Sequence, residues 1–327
     1  MSKALLLLHG FLTCTDDWDE LLPRLQPLYD EVVLFKQPGH ERKGEKTHYN
    51  DFTEQAVFEA LDKQIEYLKK YDSVDVAGHS MGGGAAVYVC AKLDNVRKAI
   101  LYAPAFKYPR ADILLKYNDY LKKIDKLRRA CADEELLGVL DRRVEVISEA
   151  NASALDIFFK RLLPNWSLRN IFTFAKIMRT ASEYLPKVKC PLCVMWGDLD
   201  EFIPYAGMKY VMEQVSSKEI YFLRYPDADH AIMYLGDVET VITDTLCYLQ
   251  NGELLNIATE RGAARMCYKI VKGEAGSKYV TVTYDERGVD KNGGTKAFCT
   301  KRTETYMDGG SKYFASLSGH DGMNEIN

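Results

Sequence analysis

The sequence predicts an α/β protein: a mostly parallel sheet with helices on both faces, a helical insert, and a small β-rich extension at the end. Three observations carry that class. Over roughly the first 250 residues, short aliphatic runs alternate with segments of helical periodicity, the rhythm of βαβ units and a parallel sheet. The runs are continuous, as in Ala4–Leu8 and Leu192–Trp196, which suits strands buried on both faces. After Asn251 the character changes: all ten prolines lie at or before Pro226, and Gly, Tyr, Thr and Lys become frequent.

Ala4–Leu8 is the first strand and ends in His9-Gly10-Phe11-Leu12. Asp16 is placed to cap a helix with Trp18, Leu21, Leu22 and Leu25 on its buried side. Val32–Phe35 follows as a strand, then the turn-rich loop Gln37–Gly44. Asp51-Phe-Thr-Glu54 has the spacing of a capping box. Behind it Val57, Phe58, Leu61, Ile65 and Leu68 repeat at helical spacing, predicting a helix from Thr53 to about Lys70. Val74–Ala77 and Ala99–Ala103 are the next strands, with the helix-ready segment Ala85–Ala91 between them.

From Pro104 to Pro186 the alternation stops. Ile113, Leu114, Tyr117, Leu121, Ile124 and Leu127 mark one helix, and Ser153–Leu163 and Ser167–Tyr184 two more, rich in Phe and Trp. An all-helical insert over about 104–186 reads as a lid covering an apolar acyl pocket; plain core packing is the competing reading. The sheet resumes at Leu192–Trp196, followed by Gly197-Asp-Leu-Asp-Glu-Phe-Ile-Pro204, a helix around Ala206–Val215 and strand Ile220–Tyr225. The loop Pro226-Asp-Ala-Asp-His230 then leads to a helix from about Val238 to Leu249.

These elements make residues 1–251 one domain and 252–327 an antiparallel appendage. Its candidate strands are Met266–Val271, Tyr279–Asp285, Lys296–Thr305 and Ser311–Leu317, with turn signals at Asn292-Gly293 and Asp308-Gly309. A disordered tail is the alternative.

Composition narrows the partners. A chain 47% apolar and 28% charged is ordinary for a globular protein, and a net charge of −4 gives no footing for nucleic acid or anionic lipid. The extension is balanced too, with 11 Lys/Arg against 10 Asp/Glu from Gly252 onward. The apolar start is too short for a secretory signal, and no run is long enough to span a bilayer, so stable membrane insertion is not expected. Eight cysteines without framework spacing point to a reducing compartment, the cytoplasm. Cys190-Pro-Leu-Cys193 has no second ligand pair and reads as packing rather than redox or metal chemistry.

The chemistry centres on Val74–Gly84. Gly78-His79-Ser80-Met81-Gly82 fits G-x-S-x-G with a strand before it and a helix after it, the setting in which a turn presents a nucleophilic serine. An idle serine in a Gly-rich turn is the bland alternative. A serine hydroxyl needs a base, and the base needs an orienting acid. Asp200 and His230 both follow strands, so a parallel sheet brings both to the carboxyl edge that carries Ser80. Asp198 is a rival acid; Asp227 and Asp229 flank the histidine. The backbone N–H of Met81, just after the nucleophile, is one oxyanion donor. His40, His48 and His320 have no partner pattern.

With His9-Gly10-Phe11, Gly78–Gly83, Gly197–Pro204 and the late Asp229-His230, the chain resembles the α/β-hydrolase superfamily, in its carboxylesterase and monoacylglycerol-lipase-like branch, over roughly residues 4–250. The resemblance implies Ser80, Asp200 and His230 as a triad, Phe11 N–H as the second oxyanion donor and His9 as the residue shaping that loop. His79 is a spacer within the elbow. It also implies a small-molecule acyl ester as substrate, an acyl-enzyme intermediate, and no metal or cofactor. Serine at the elbow argues against epoxide hydrolases and haloalkane dehalogenases, whose nucleophile there is aspartate. Two alternatives stay open. One is an amide or peptide hydrolase resembling proline iminopeptidases, with Glu134, Glu135 and Glu149 as amine-binding candidates. The other is a non-catalytic binding protein with the extension as its interaction module. Under any of these readings, an edge strand of the extension is a candidate for pairing with a second protomer in a homo-oligomer.

Overall fold

In the computed structural model the strands are β1 (Lys3–Leu8), β2 (Glu31–Phe35), β3 (Ser73–His79), β4 (Val96–Tyr102), β5 (Leu192–Gly197), β6 (Glu219–Tyr225), β7 (Arg265–Lys272), β8 (Val280–Val289), β9 (Thr295–Lys296) and β10 (Arg302–Tyr306). The structure describes residues 1–40, 51–107, 168–200, 202–226, 228–233, 238–255, 265–273, 280–289, 295–296 and 302–306, with isolated helical positions between 122 and 148. One sheet runs in the order β2-β1-β3-β4-β5-β6-β7-β8-β10, with β9 paired to β8. The pairs from β2 through β6 are parallel, as expected, and β7, β8 and β10 add on antiparallel.

Strand order reverses at β1: the chain goes first to β2 on one side and then to β3 on the other. The crevice at the carboxyl ends of β1 and β3 is therefore the topological switch point, where open α/β sheets bind ligands.

Side chains alternate across the sheet, so each strand feeds two cores. Ala4, Leu6 and Leu8 face α2 (Glu54–Leu68), α3 (Met81–Lys92), α4 (Leu168–Tyr184) and α5 (Tyr205–Gln214). Leu5 and Leu7 face Trp18, Leu21, Leu25 and α6 (Val238–Asn251). Helices on both faces explain why the strand sequences are aliphatic throughout. Cys193 is buried in this second core with a free thiol.

Two local expectations change. The segment after β1 is a 3-10 turn at Thr15–Trp18, one α-turn, α1 (Leu22–Leu25), and another 3-10 turn at Gln26–Leu28. Pro23 and Pro27 each start a turn and deny the preceding one its continuation, and the N-cap position of the Thr15–Trp18 turn is Cys14, with Asp16 inside the turn. The cap of α2 is Thr53, whose hydroxyl accepts from Ala56 N–H at 3.1 Å, rather than Asp51.

Within the expected insert, α4 packs its Phe174, Ile177, Met178 and Ala181 into the core beside α3. The expected helices around 113–127 and 153–163 fall mostly or wholly outside the described residues, as does Ser311–Leu317. Beyond Asn251 the first strand, β7, is hydrogen-bonded along β6 from Glu219 to Arg224, so the extension begins as a continuation of the main sheet.

Candidate active site

Ser80 sits between β3 and α3 at φ 54°, ψ −116°, a conformation L-residues rarely adopt and one that costs of order 1–3 kcal/mol. The surroundings hold it there. Its N–H donates to the Tyr102 carbonyl at 2.9 Å, and its carbonyl accepts from Gly83 at 3.0 Å and Ala105 at 3.1 Å. A side chain at Gly82 would begin 2.1 Å from the Leu8 carbonyl oxygen, and one at Gly78 would begin 2.2 Å from that of Gly82. The glycines thus allow α3 to press against β1 and its own strand, which forces the sharp turn.

β5 and β6 end beside one another and release the other two candidates. Asp200 is buried; its Oδ1 accepts from the N–H groups of Phe202 (2.9 Å) and Ile203 (2.7 Å). Its Oδ2 accepts from His230 Nδ1 at 2.9 Å, and the Phe202 ring packs edge-on against the imidazole. Burial works against a charged His230, but the charge and hydrogen bond of Asp200, with Asp229 and Asp17 adding, outweigh it and raise its pKa. Asp198 is engaged elsewhere, its two oxygens each 2.9 Å from the Arg224 guanidinium in a fully buried pair.

His230 reaches the elbow through the backbone: its carbonyl accepts from His79 Nε2 at 3.0 Å. His230 is thus held at Nδ1 by Asp200 and at its carbonyl by His79.

The loop after β1 closes the opposite wall. A Cβ on Gly10 would lie 3.3 Å from that of Ser80, which puts Phe11 next to the elbow. His9 is buried, with Nδ1 donating to the Gly10 carbonyl and Nε2 accepting from Gln37 N–H; burial depresses its pKa and keeps it neutral. The Phe11 ring stacks against Phe52 and Phe174, with centroids 5.6 and 5.1 Å away. His40 meets the same cluster and is held neutral by burial, its pKa pushed down to about 3.

Two further carboxylates lie here: Asp17, which the sequence reading of the site missed, and Asp229, which it placed beside the histidine without a role. Asp17 accepts from Gly10 N–H, the Thr13 hydroxyl and His79. Burial pushes its pKa up, but the hydrogen bond and charge of His79 bring it below the usual range. Asp229, beside His230, is pushed up to about 6, chiefly by burial, with Asp200's charge adding; the Ala231 N–H on its Oδ1 partly offsets this.

Residues 1–237 match the family described as serine aminopeptidase, S33. The chain belongs to that family. Among its relatives, monoacylglycerol lipase ABHD6 of Homo sapiens is 23% identical over 269 residues, spanning 76% of each chain. The monoacylglycerol lipase of Mycolicibacterium smegmatis is 23% identical over 252 residues, 75% of this chain and 87% of that one. A structure from the work on LipS and LipT, two metagenome-derived lipolytic enzymes, superimposes with a TM-score of 0.54 at 15% identity, covering 76% of this chain and 93% of that one. The S33 match and this likeness agree on the α/β-hydrolase fold. No helix among the described residues is long and apolar enough to cross a membrane.

Proposed function

We propose that the chain is a carboxylic ester hydrolase in which Ser80 attacks the ester carbonyl, His230 takes its proton, and Asp200 holds and stabilises the imidazolium. The supporting observation is the Asp200–His230 hydrogen bond at the sheet edge where β3 presents a strained Ser80. His230 then gives the proton to the departing alcohol, and water attacks the acyl-enzyme by the same relay.

The developing oxyanion is met by main-chain donors. Met81 is the first residue of α3, and the first N–H groups of a helix have no acceptor within it. Gly10 N–H is committed to Asp17, which is consistent with the resemblance's assignment of the next N–H, that of Phe11, as the donor from the β1 loop. The Phe11–Phe52–Phe174 stack gives the donor loop an apolar side suited to an acyl chain, which favours short- to medium-chain acyl esters or monoacylglycerols; monoacylglycerol lipases are among the relatives. No cofactor enters the scheme.

Amide or peptide hydrolysis is the second reading, favoured by the family's description. Its candidate amine-binding residues Glu134, Glu135 and Glu149 lie outside the described residues. One experiment separates the two. Fluorophosphonate labelling of the wild type and of Ser80→Ala is followed by turnover of aryl esters of increasing chain length and of aminoacyl anilides. Labelling lost only in the variant, with esters cleaved and anilides left intact, supports the esterase. Preference for anilides replaces it with the peptidase, and equal labelling of both proteins removes Ser80 from the chemistry.

A further inference from the structure

Asp17 and His79 are buried titratable side chains at the site that the proposed chemistry leaves unused. A single oxygen, Asp17 Oδ2, accepts from Gly10 N–H at 3.2 Å, from the Thr13 hydroxyl at 2.6 Å and from His79 Nδ1 at 3.4 Å. Across the ring, His79 Nε2 donates to the His230 carbonyl at 3.0 Å. The line therefore runs from the residue before Phe11, through one carboxylate and one imidazole, to the backbone of the base. His79 also immediately precedes Ser80, so the loops that leave β1, β3 and β6 meet on two side chains.

Both side chains are almost wholly buried, 4% and 2% exposed. A buried ionisable pair gains little over an apolar filling of the same shape, while its hydrogen bonds fix positions that apolar packing leaves freer. The geometry points to Asp17 and His79 as a positioning pair for the reaction, setting where the Phe11 N–H and the His230 ring stand relative to Ser80 without touching substrate. This rests on the triad proposed above. Among the described residues, the charges and rings facing His230 include Asp200 and the Phe202 ring from the β5 loop, Asp229 from its own loop, Asp17 from the β1 loop and the His79 ring at the end of β3. Among them Asp17 favours the charged imidazole from a distance.

The test compares the wild type with Asp17→Asn, Asp17→Glu, His79→Gln and Thr13→Val, with activity normalised to folded protein by circular dichroism. Asp17→Asn and His79→Gln should lose about 10- to 100-fold in kcat, the scale of a small misplacement of reacting groups, with KM nearly unchanged. Asp17→Asn should also move the acidic limb of the kcat/KM profile to lower pH, because the imidazolium loses a favourable charge, and Asp17→Glu should restore part of both. If Asp17→Asn does not fold, Thr13→Val carries the test with a roughly threefold loss in kcat, the scale of one hydrogen bond. Wild-type kcat in folded variants, or an unmoved limb in Asp17→Asn, overturns the positioning role. A wild type that neither labels nor turns over ester sinks the triad, and this inference with it; an active wild type with an inert Ser80→Ala leaves only the positioning pair at issue.

Discussion

A side chain on Gly197 would begin 2.2 Å from the carbonyl oxygen of Ala228. The loop that carries Asp200 and the loop that carries His230 thus touch backbone to backbone, and Leu199 N–H donates to that same carbonyl at 3.0 Å. Real Cβ atoms essentially never come within 3.0 Å of such an atom, so Gly197→Ala must part the two loops. Unfolding in urea should show a loss of about 1–3 kcal/mol, and kcat should drop roughly 100-fold as the acid and base separate. A folded variant with normal turnover would mean that the loop contact does not set the Asp200–His230 distance.

The two neighbouring aspartates should fail in different ways. Asp200→Asn keeps the shape but favours the wrong imidazole tautomer, and in an Asp-His-Ser arrangement this lowers kcat about 10⁴-fold. Asp198→Asn removes the carboxylate that holds the buried Arg224 guanidinium by two hydrogen bonds and should cost about 3–5 kcal/mol of stability, while the folded fraction keeps its kcat. Ester turnover measured beside thermal melting distinguishes the two; the reverse pattern would make Asp198 the acid.

The pH profile has a definite sign. A base must be neutral to accept the Ser80 proton, and the pKa of His230 stands above its ordinary 6.5. The acidic limb of kcat/KM should therefore lie above pH 6.5 and move down in Asp200→Asn. A limb below the ordinary histidine value in the wild type would contradict the environment found for the ring.

Stability follows the opposite histidine. His40 is held neutral in the fold with a pKa of about 3 against 6.5 when exposed, so between those values the unfolded chain binds the extra proton. Folding stability should be fully present above pH 6.5 and fall as pH drops toward 3, by roughly 3 kcal/mol at pH 4; His9 acts in the same direction. Urea midpoints across this range should show the slope, and His40→Phe should flatten it whatever it does to absolute stability.

What could be read beforehand follows from where the information lies. β1, β3 and β5 were legible because burial on both faces leaves an unbroken aliphatic run, and the elbow because its strand, glycines and helix are contiguous. Asp200 and His230 were reachable through chain order and strand context. Asp17 was not: the local pattern favoured Asp16 as a cap, and the partner that gives Asp17 meaning, His79, is 62 residues away. The strands after Asn251 announced themselves by alternation, but alternation names no neighbour, and the pairing of β7 with β6 is a long-range choice.

That pairing leads to the last prediction. Arg265, at the start of β7, is fully buried with its Nε 3.1 Å from Asp244 Oδ2 and its Nη2 donating to the Leu254 carbonyl at 3.0 Å. Asp244 lies on α6, and its Oδ2 also accepts from the Tyr225 hydroxyl at the end of β6, next to the base loop. A chain ending at Asn251 would uncover the hydrogen-bonding edge of β6 and leave a buried carboxylate without its cation. Such a chain should aggregate or melt without cooperativity rather than lose activity on selected substrates. In the full chain, Arg265→Met should cost about 3–5 kcal/mol, and adding Asp244→Asn should recover part of it, since the stranded charge is then gone. Equal losses in the single and double variants would assign the cost to packing alone, and a truncated chain that melts sharply and cleaves ester would show that the sheet is complete at β6.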